Sequence, residues 1–232
     1  MFFHKHPYEP YIPKGTKKLI VGTLPPPRFT TGDLKEKDVD FCYGSYYNSL
    51  WLFIDKIHNL NLRFDHSEEA IQQRKDFLIS HHIGVCDIVE SCEREKIDAS
   101  DLGMQNIVLR DLIEYLKQHP TIDTLLFTGG NSKNGPEYFF RQHIKKYDIK
   151  LKLISNEIPR IHVFELNHDL NKSNEAKKRF IKTVSLTSPS GAANRAVGSI
   201  PLYRQLKKKD PKFTTFDFRV LQYKNYFIKE DI

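Results

Sequence analysis

At 232 residues the chain has the length of one α/β domain, enough to bury a sizeable core. Apolar residues make up 39% and aromatics 12%, which excludes a disordered chain. The formal net charge of +7 favours a polyanionic partner, but by itself does not separate DNA from RNA, an acidic membrane surface or a surplus of surface lysine.

Cys42, Cys86 and Cys92 are odd in number and lack CxxC spacing, which argues against a disulfide framework or a zinc site. Buried, reduced thiols of a cytosolic protein are the expectation. No apolar run resembles a signal peptide or reaches the length of a membrane span. The chain therefore reads as a cytoplasmic monomer with no cofactor, no metal and no membrane partner.

Residues 1–16 place Pro7, Pro10, Pro13 and Gly15 among aromatics, the pattern of an extended arm. Lys17-Lys18-Leu19-Ile20-Val21-Gly22 predicts a short buried strand stopped by glycine, running into Thr23-Leu24-Pro25-Pro26-Pro27. Ligands of open α/β sheets collect where a loop leaves the carboxyl end of a strand, and a glycine there lets a ligand approach the backbone. Residues 28–41 are polar and mixed in charge and predict a surface loop. From Asn48, residues Leu50, Trp51, Phe53, Ile54 and Ile57 fall at helical spacing, which puts Asn48 at or just before a helix start, where asparagine is a favoured cap.

A second helix is predicted over 68–80, capped by Ser67. Residues 81–90 predict an apolar turn carrying one carboxylate, Asp87, which must find a partner if buried, as a structural cap or as a site residue. The His81-His82 pair points in two directions and lacks a spaced third ligand, so packing or surface roles are expected. Residues 105–118 predict a helix with Ile107, Leu109, Leu112, Ile113 and Leu116 inward. Residues 121–128 predict the second clear strand, closed by Gly129-Gly130-Asn131. Helices between such strands imply a parallel sheet.

Residues 137–147 predict a basic helix, and 151–154 and 161–166 short strands. Residues 155–182 read as an insertion, polar and lysine-rich from 167 on. Residues 184–186 predict a last core strand before Thr187-Ser188-Pro189-Ser190-Gly191-Ala192-Ala193-Asn194-Arg195. A helix over 202–209 and a strand or hairpin over 213–228, added at the sheet edge as a C-terminal extension, complete the chain. No internal repeat is present.

Three of these stretches, in this order, resemble motifs of the uracil-DNA glycosylase superfamily, near its mismatch-specific and hypoxanthine-DNA glycosylase branches. Gly22-Thr23-Leu24-Pro25-Pro26 resembles the first motif, and Tyr43-Gly44-Ser45-Tyr46-Tyr47-Asn48-Ser49-Leu50-Trp51 the second. Residues 186–195 are similar to the late loop that enters the DNA minor groove. The resemblance spans most of residues 17–207 and implies one three-layer α/β/α domain, with a central, mostly parallel twisted sheet. The chain departs from the pattern at Pro26, which replaces a glycine, and at Ser45-Tyr46, which replace His-Pro. No Asp or Asn stands in the first motif, and three cysteines do not suit the iron-cluster members.

The resemblance implies a DNA glycosylase that flips a deaminated base, uracil or hypoxanthine, out of single- or double-stranded DNA and hydrolyses its N-glycosidic bond. Tyr43 would stack on the base, and Gly22, Thr23, Leu24 and Pro25 would line its polar edge, with Asn131 a further contact or merely a turn residue. Asn48 would place the attacking water, as the hypoxanthine branch's asparagine does, with Asp87 next in line as a base. Turnover would be slow. Ser188, Ser190, Gly191 and Ala192 would grip phosphates, and Asn194 or Arg195 would fill the gap left by the flipped base or neutralise charge. The alternative is a protein of the same fold that binds nucleic acid without chemistry.

Overall fold

The computed structural model describes residues 1–166 and 179–228. In chain order its elements are β1 (Phe2–Lys5), β2 (Lys18–Val21), α1 (Arg28–Thr31), α2 (Leu50–His58), α3 (Glu68–Ser80), β3 (Ile83–Val85), β4 (Val89–Arg94) and β5 (Met104–Leu109). Then come α4 (Leu112–Gln118), β6 (Thr124–Phe127), α5 (Pro136–His143), β7 (Lys152–Ser155), β8 (Arg160–Leu166), β9 (Arg179–Ser185), α6 (Asn194–Ser199), α7 (Pro201–Lys209) and α8 (Thr215–Phe227). Among the described residues the strands form a six-stranded sheet in the order β3-β2-β6-β9-β8-β7 and a three-stranded sheet in the order β1-β4-β5. In the larger sheet β3, β2, β6 and β9 run parallel, while β8 is antiparallel to β9 and β7 antiparallel to β8. The fold is mixed α/β, with a central, mostly parallel sheet flanked by helices.

Strand β2 shows why the sheet is central. Leu19, Ile20 and Val21 are all fully buried, as a strand covered on both faces requires. Successive side chains point to opposite faces. Leu19 and Val21 therefore pack with Leu112, Ile113 and Leu116 of α4 and Phe140 of α5, while Ile20 packs with residues of α2, α3 and α8. On that second face Trp51 is buried with its indole N–H donated to the Cys42 carbonyl at 2.9 Å, which satisfies its polar edge. No helix among the described residues is long and apolar enough to cross a membrane.

The extended N-terminal arm joins both sheets: β1 pairs with β4 of the small sheet, and Tyr11 bridges to Val85 of β3 in the larger one. The helices at 68–80 and 202–209 form as expected, and the Ser67 hydroxyl accepts from the Ala70 amide at 3.2 Å. The helix predicted at 137–147 is α5 followed by a 3-10 turn.

Elsewhere tertiary contacts override the local pattern. The predicted helix at 105–118 divides into β5, which pairs with β4, and α4, whose first turn is capped by the Asp111 carboxylate accepting from the Glu114 amide. Residues 81–90 are not one turn, since β3 and the start of β4 lie there. The loop at 28–41 holds α1 and buries Asp38, Val39 and Phe41. Residues 155–182, expected to be an insertion, carry β8 and the first half of β9, which pair with each other along their length. Residues 167–178 lie outside the described residues.

The tail is the largest correction, because the strand or hairpin expected at 213–228 is the helix α8. Thr214 and Asp217 form a capping box, the hydroxyl accepting from the Asp217 amide at 3.2 Å and the carboxylate from the Thr214 amide at 2.8 Å. Its buried residues, Phe218, Arg219, Gln222, Tyr223 and Phe227, fall at helical spacing. It packs on α2, with the Phe53 ring 5.1 Å from Phe216 and 5.0 Å from Tyr223, pairs worth about 0.5–1.5 kcal/mol each beyond the buried area.

Candidate functional site

The loops after β2, β6 and β9 leave the same end of the sheet, where parallel strands present their carboxyl ends. Between them and the segment before α2 lies a cleft of about 330 Å³, bordered by residues 22–26, Tyr43, Asn48, Asp101, Thr128 and Ser188. A second cleft of about 580 Å³ adjoins it, sharing Asp101, Thr128, Pro136 and Ser188 and running on toward Arg160 and Ile200.

The floor of the first cleft is a closed hydrogen-bond network around Asp87. Its Oδ1 accepts from the Gly22 amide and from the Tyr43 hydroxyl, each at 2.8 Å, and His6 Nε2 lies 3.0 Å from Oδ2. The Tyr43 hydroxyl also lies 3.1 Å from Thr128 Oγ1. Burial, with Asp87 beside it, pushes the Tyr43 phenol far above its ordinary pKa, so it stays a donor. Asp87 is thus the brace that joins the first motif, the second motif and the N-terminal arm. Both of its oxygens are engaged within the protein, a structural role of the kind expected of a buried carboxylate.

The same network gives Gly22 a purpose beyond lining the cleft. A Cβ at this position would fall on the Tyr43 hydroxyl and stand 2.8 Å from Asp87 Oδ1. Glycine is needed to admit a side chain of the protein itself. Tyr43 adopts φ 57°, a left-handed conformation uncommon for a tyrosine, and Gly44 follows because a Cβ there would collide with the Val39 carbonyl.

Asn48 is joined to the late loop by the backbone. It forms a β-bridge with Ser190, and the Ser49 amide donates to the Pro189 carbonyl at 3.0 Å. Asn48 stands just before the helix as expected, but Ser49 is the cap residue, and the Asn48 side-chain oxygen instead accepts from the Leu50 amide at 3.1 Å, two residues on. That bond fixes which side-chain atom is oxygen and leaves Nδ2 without a protein partner among the described residues. Ser45 accepts from Arg28 at 2.7 Å. Arg28 in turn grips Asp38 with two bonds of 2.6 and 3.0 Å. Burial alone would raise the Asp38 carboxyl, but the bonds from Arg28 and from the Lys35 and Tyr46 amides together hold it below the usual carboxylate range.

The late loop is organised from behind by a residue that the sequence did not single out. Arg219 of α8 is buried and donates at 3.0 Å to the carbonyls of both Ser188 and Ser190, and also to Asn194 Oδ1. Tyr223 and Gln222, one turn on, hold the Thr187 carbonyl and amide at 2.8 Å each. The Ser188 and Ser190 hydroxyls accept from the amides of Ser190 and Ala192. The oxygen of the exposed Asn194 side chain thus accepts from both Arg219 and the Thr215 hydroxyl. Gly191, Ala192 and Arg195 are exposed, as are Arg204, Lys208 and Lys209 of α7, a helix that packs on α6 and whose Arg204 donates to the Gly198 carbonyl.

Asn131, the weaker of the expected base contacts, is exposed and borders neither cleft. Thr128, at the end of β6, takes the place by the cleft, and Asn134 is the buried asparagine of that loop. Asp101 was missed as well, having no motif around it. It accepts from the Thr23 hydroxyl at 3.0 Å, and burial lifts its carboxyl to about 6, against the bond from Thr23 and the nearby Arg94 guanidinium.

Among the described residues no group of three His, Cys, Asp or Glu side chains is placed to hold a metal ion. Cys42, Cys86 and Cys92 are buried and unpaired, and burial pushes the Cys86 thiol up to about 12. No family model matches the chain, and neither does any curated protein or solved structure.

Proposed function

We propose that the protein is a DNA glycosylase that hydrolyses the N-glycosidic bond of a flipped deaminated base, leaving an abasic site for base excision repair. The observation that carries this reading is the bridge from Asn48 to Ser190. It sets the stretch resembling the second motif against the one resembling the late loop, on the cleft that residues 22–26 border. On this reading the two helix groups and the sheet are the superfamily's three layers.

The base would enter between the backbone of residues 22–24 and Tyr43, whose ring face is the stacking surface while its hydroxyl stays bound to Asp87. Asn48 would hold the attacking water with its remaining oxygen lone pair and free Nδ2, a weak form of activation because an amide takes no proton. Ser188, Ser190 and the amides at 191 and 192 would meet the flanking phosphates, and Arg195 with the cations of α7 would follow the backbone.

One observation favours the binding-only alternative. Asp87, the carboxylate bonded to Tyr43, has both of its oxygens engaged inside the protein. Incubating the protein in excess with labelled duplexes carrying uracil or hypoxanthine, then cleaving abasic sites with alkali, separates the two readings. A product from either duplex supports the glycosylase. Intact duplex binding with no product from any deaminated base would leave the binding protein.

A further inference from the structure

We infer that Asp101 is the acid that protonates a departing purine, so that this cleft favours release of hypoxanthine over uracil. The inference rests on the glycosylase reading and adds a residue outside all three motif-like stretches.

Asp101 stands on the wall shared by both clefts, beside the strand-end loop expected to line the base. It is fixed at two points: the Thr23 hydroxyl donates to Oδ1 at 3.0 Å, and Asn134 Nδ2 donates to its backbone carbonyl at 2.8 Å. Oδ2 has no partner among the described residues. Of the two carboxylates bordering these clefts, Asp87 is spent on Gly22, Tyr43 and His6, which leaves Asp101 as the one with an oxygen to offer.

The two candidate bases ask for different help. Uracil leaves as an anion spread over its carbonyl oxygens and is served by hydrogen-bond donors, as an oxyanion hole would serve it. A purine carries a basic N7, and a proton placed there turns it into a neutral leaving group. In the step proposed, the Asp101 proton moves to N7 while the C1′–N9 electron pair passes to the base. The oxocarbenium carbon then takes the oxygen of the water held by Asn48, and that water sheds a proton to solvent. Solvent reprotonates Asp101. One water is consumed, and free hypoxanthine and an abasic sugar are formed.

The acid must hold its proton in mildly acidic solution, and its surroundings favour that. Burial is the largest influence and Asp87 adds to it, while Arg94 opposes it. Asp98 lies 3.9 Å from Arg94 and draws off part of that guanidinium's field. Arg160, across the adjoining cleft, is tied to Glu137 at 2.9 Å, and the remaining contacts, Thr23 and Asn134, are uncharged.

The test is single-turnover release of hypoxanthine and of uracil from otherwise identical duplexes, across the range in which the carboxyl titrates, by wild type, Asp101→Asn and Asp101→Glu. Wild-type hypoxanthine release should fall with rising pH above about 6 while uracil release does not follow it. Asp101→Asn should lower the hypoxanthine-to-uracil ratio by roughly 100-fold and flatten the profile, and Asp101→Glu should restore part of both. A folded Asp101→Asn protein with an unchanged ratio and profile would overturn the assignment, as would a wild type that releases uracil and not hypoxanthine, leaving the glycosylase reading in place. A wild type that releases neither base removes both.

Discussion

The Tyr43 hydroxyl occupies the space that a Cβ on residue 22 would need, so the glycine of one motif and the tyrosine of another are a single fitted pair. Both are tied to Asp87 at 2.8 Å, which makes the fit part of a polar network rather than a chance approach. Gly22→Ala should therefore cost about 2–3 kcal/mol, from overpacking together with disturbed bonds to Asp87. Tyr43→Phe removes the atom in the way. In denaturant unfolding the double variant should be less destabilised than the sum of the singles, and strict additivity would show that the two positions do not compete for space.

Arg219 holds two carbonyls and one side-chain oxygen of the late loop from within the protein. Arg219→Met keeps the aliphatic bulk but leaves those acceptors without their donor, and should cost about 3 kcal/mol. Amide hydrogen exchange in residues 188–194 should accelerate by more than the global loss of stability accounts for. Exchange that rises only in step with global unfolding would mean that the loop does not depend on this brace.

Asn48 has a structural share and a proposed chemical one, and they differ in size. Asn48→Ala removes the acceptor of the Leu50 amide, a loss of about 1 kcal/mol. Base release should drop by roughly 100-fold or more if the side chain places the water, with duplex affinity nearly unchanged. Turnover that survives in a stably folded variant would move the water to another residue.

Asp101 carries a stability signature that can be read without DNA. Its folded-state pKa of about 6 stands above the ordinary 3.8, so between those values the folded protein binds more protons than the unfolded chain. The sign follows: Asp101 lowers stability progressively as pH rises from 3.8 through 6, and the penalty is complete above that window. Asp101→Asn should then be more stable than wild type at neutral pH, by roughly 1–3 kcal/mol, with no advantage at the acid end. Parallel urea-unfolding curves for the two proteins at both ends of the window would contradict a buried charge at this position.

Much of the fold was legible locally. The run Leu19-Ile20-Val21 marks a strand buried on both faces, and Ser67 before a helical stripe marks a helix start, because each signal is contained within a few neighbouring residues. The failures share a cause. Residues 105–118 carry apolar positions that suit a helix, yet β4 offers a partner for their first half, and pairing with a distant strand outweighs a weak local preference. In α8 the capping box Thr214/Asp217 was present in the sequence, but the aromatics at 216 and 218 suggested alternation.

The sequence alone determined the order of the motif-like stretches, the position of Asn48 at a helix start and the clustering of small polar residues at 188–194, since these depend on residue type and spacing. Only the tertiary structure decided what those residues face. It turned Gly22 toward Tyr43, closed Asp87 into a brace, drew Asn194 back onto Arg219 and set Asp101, about which its own neighbours say nothing, on the wall of the cleft. The reason is physical: a side chain's role is set by the groups within hydrogen-bond reach, and here those partners lie 21 to 81 positions away along the chain.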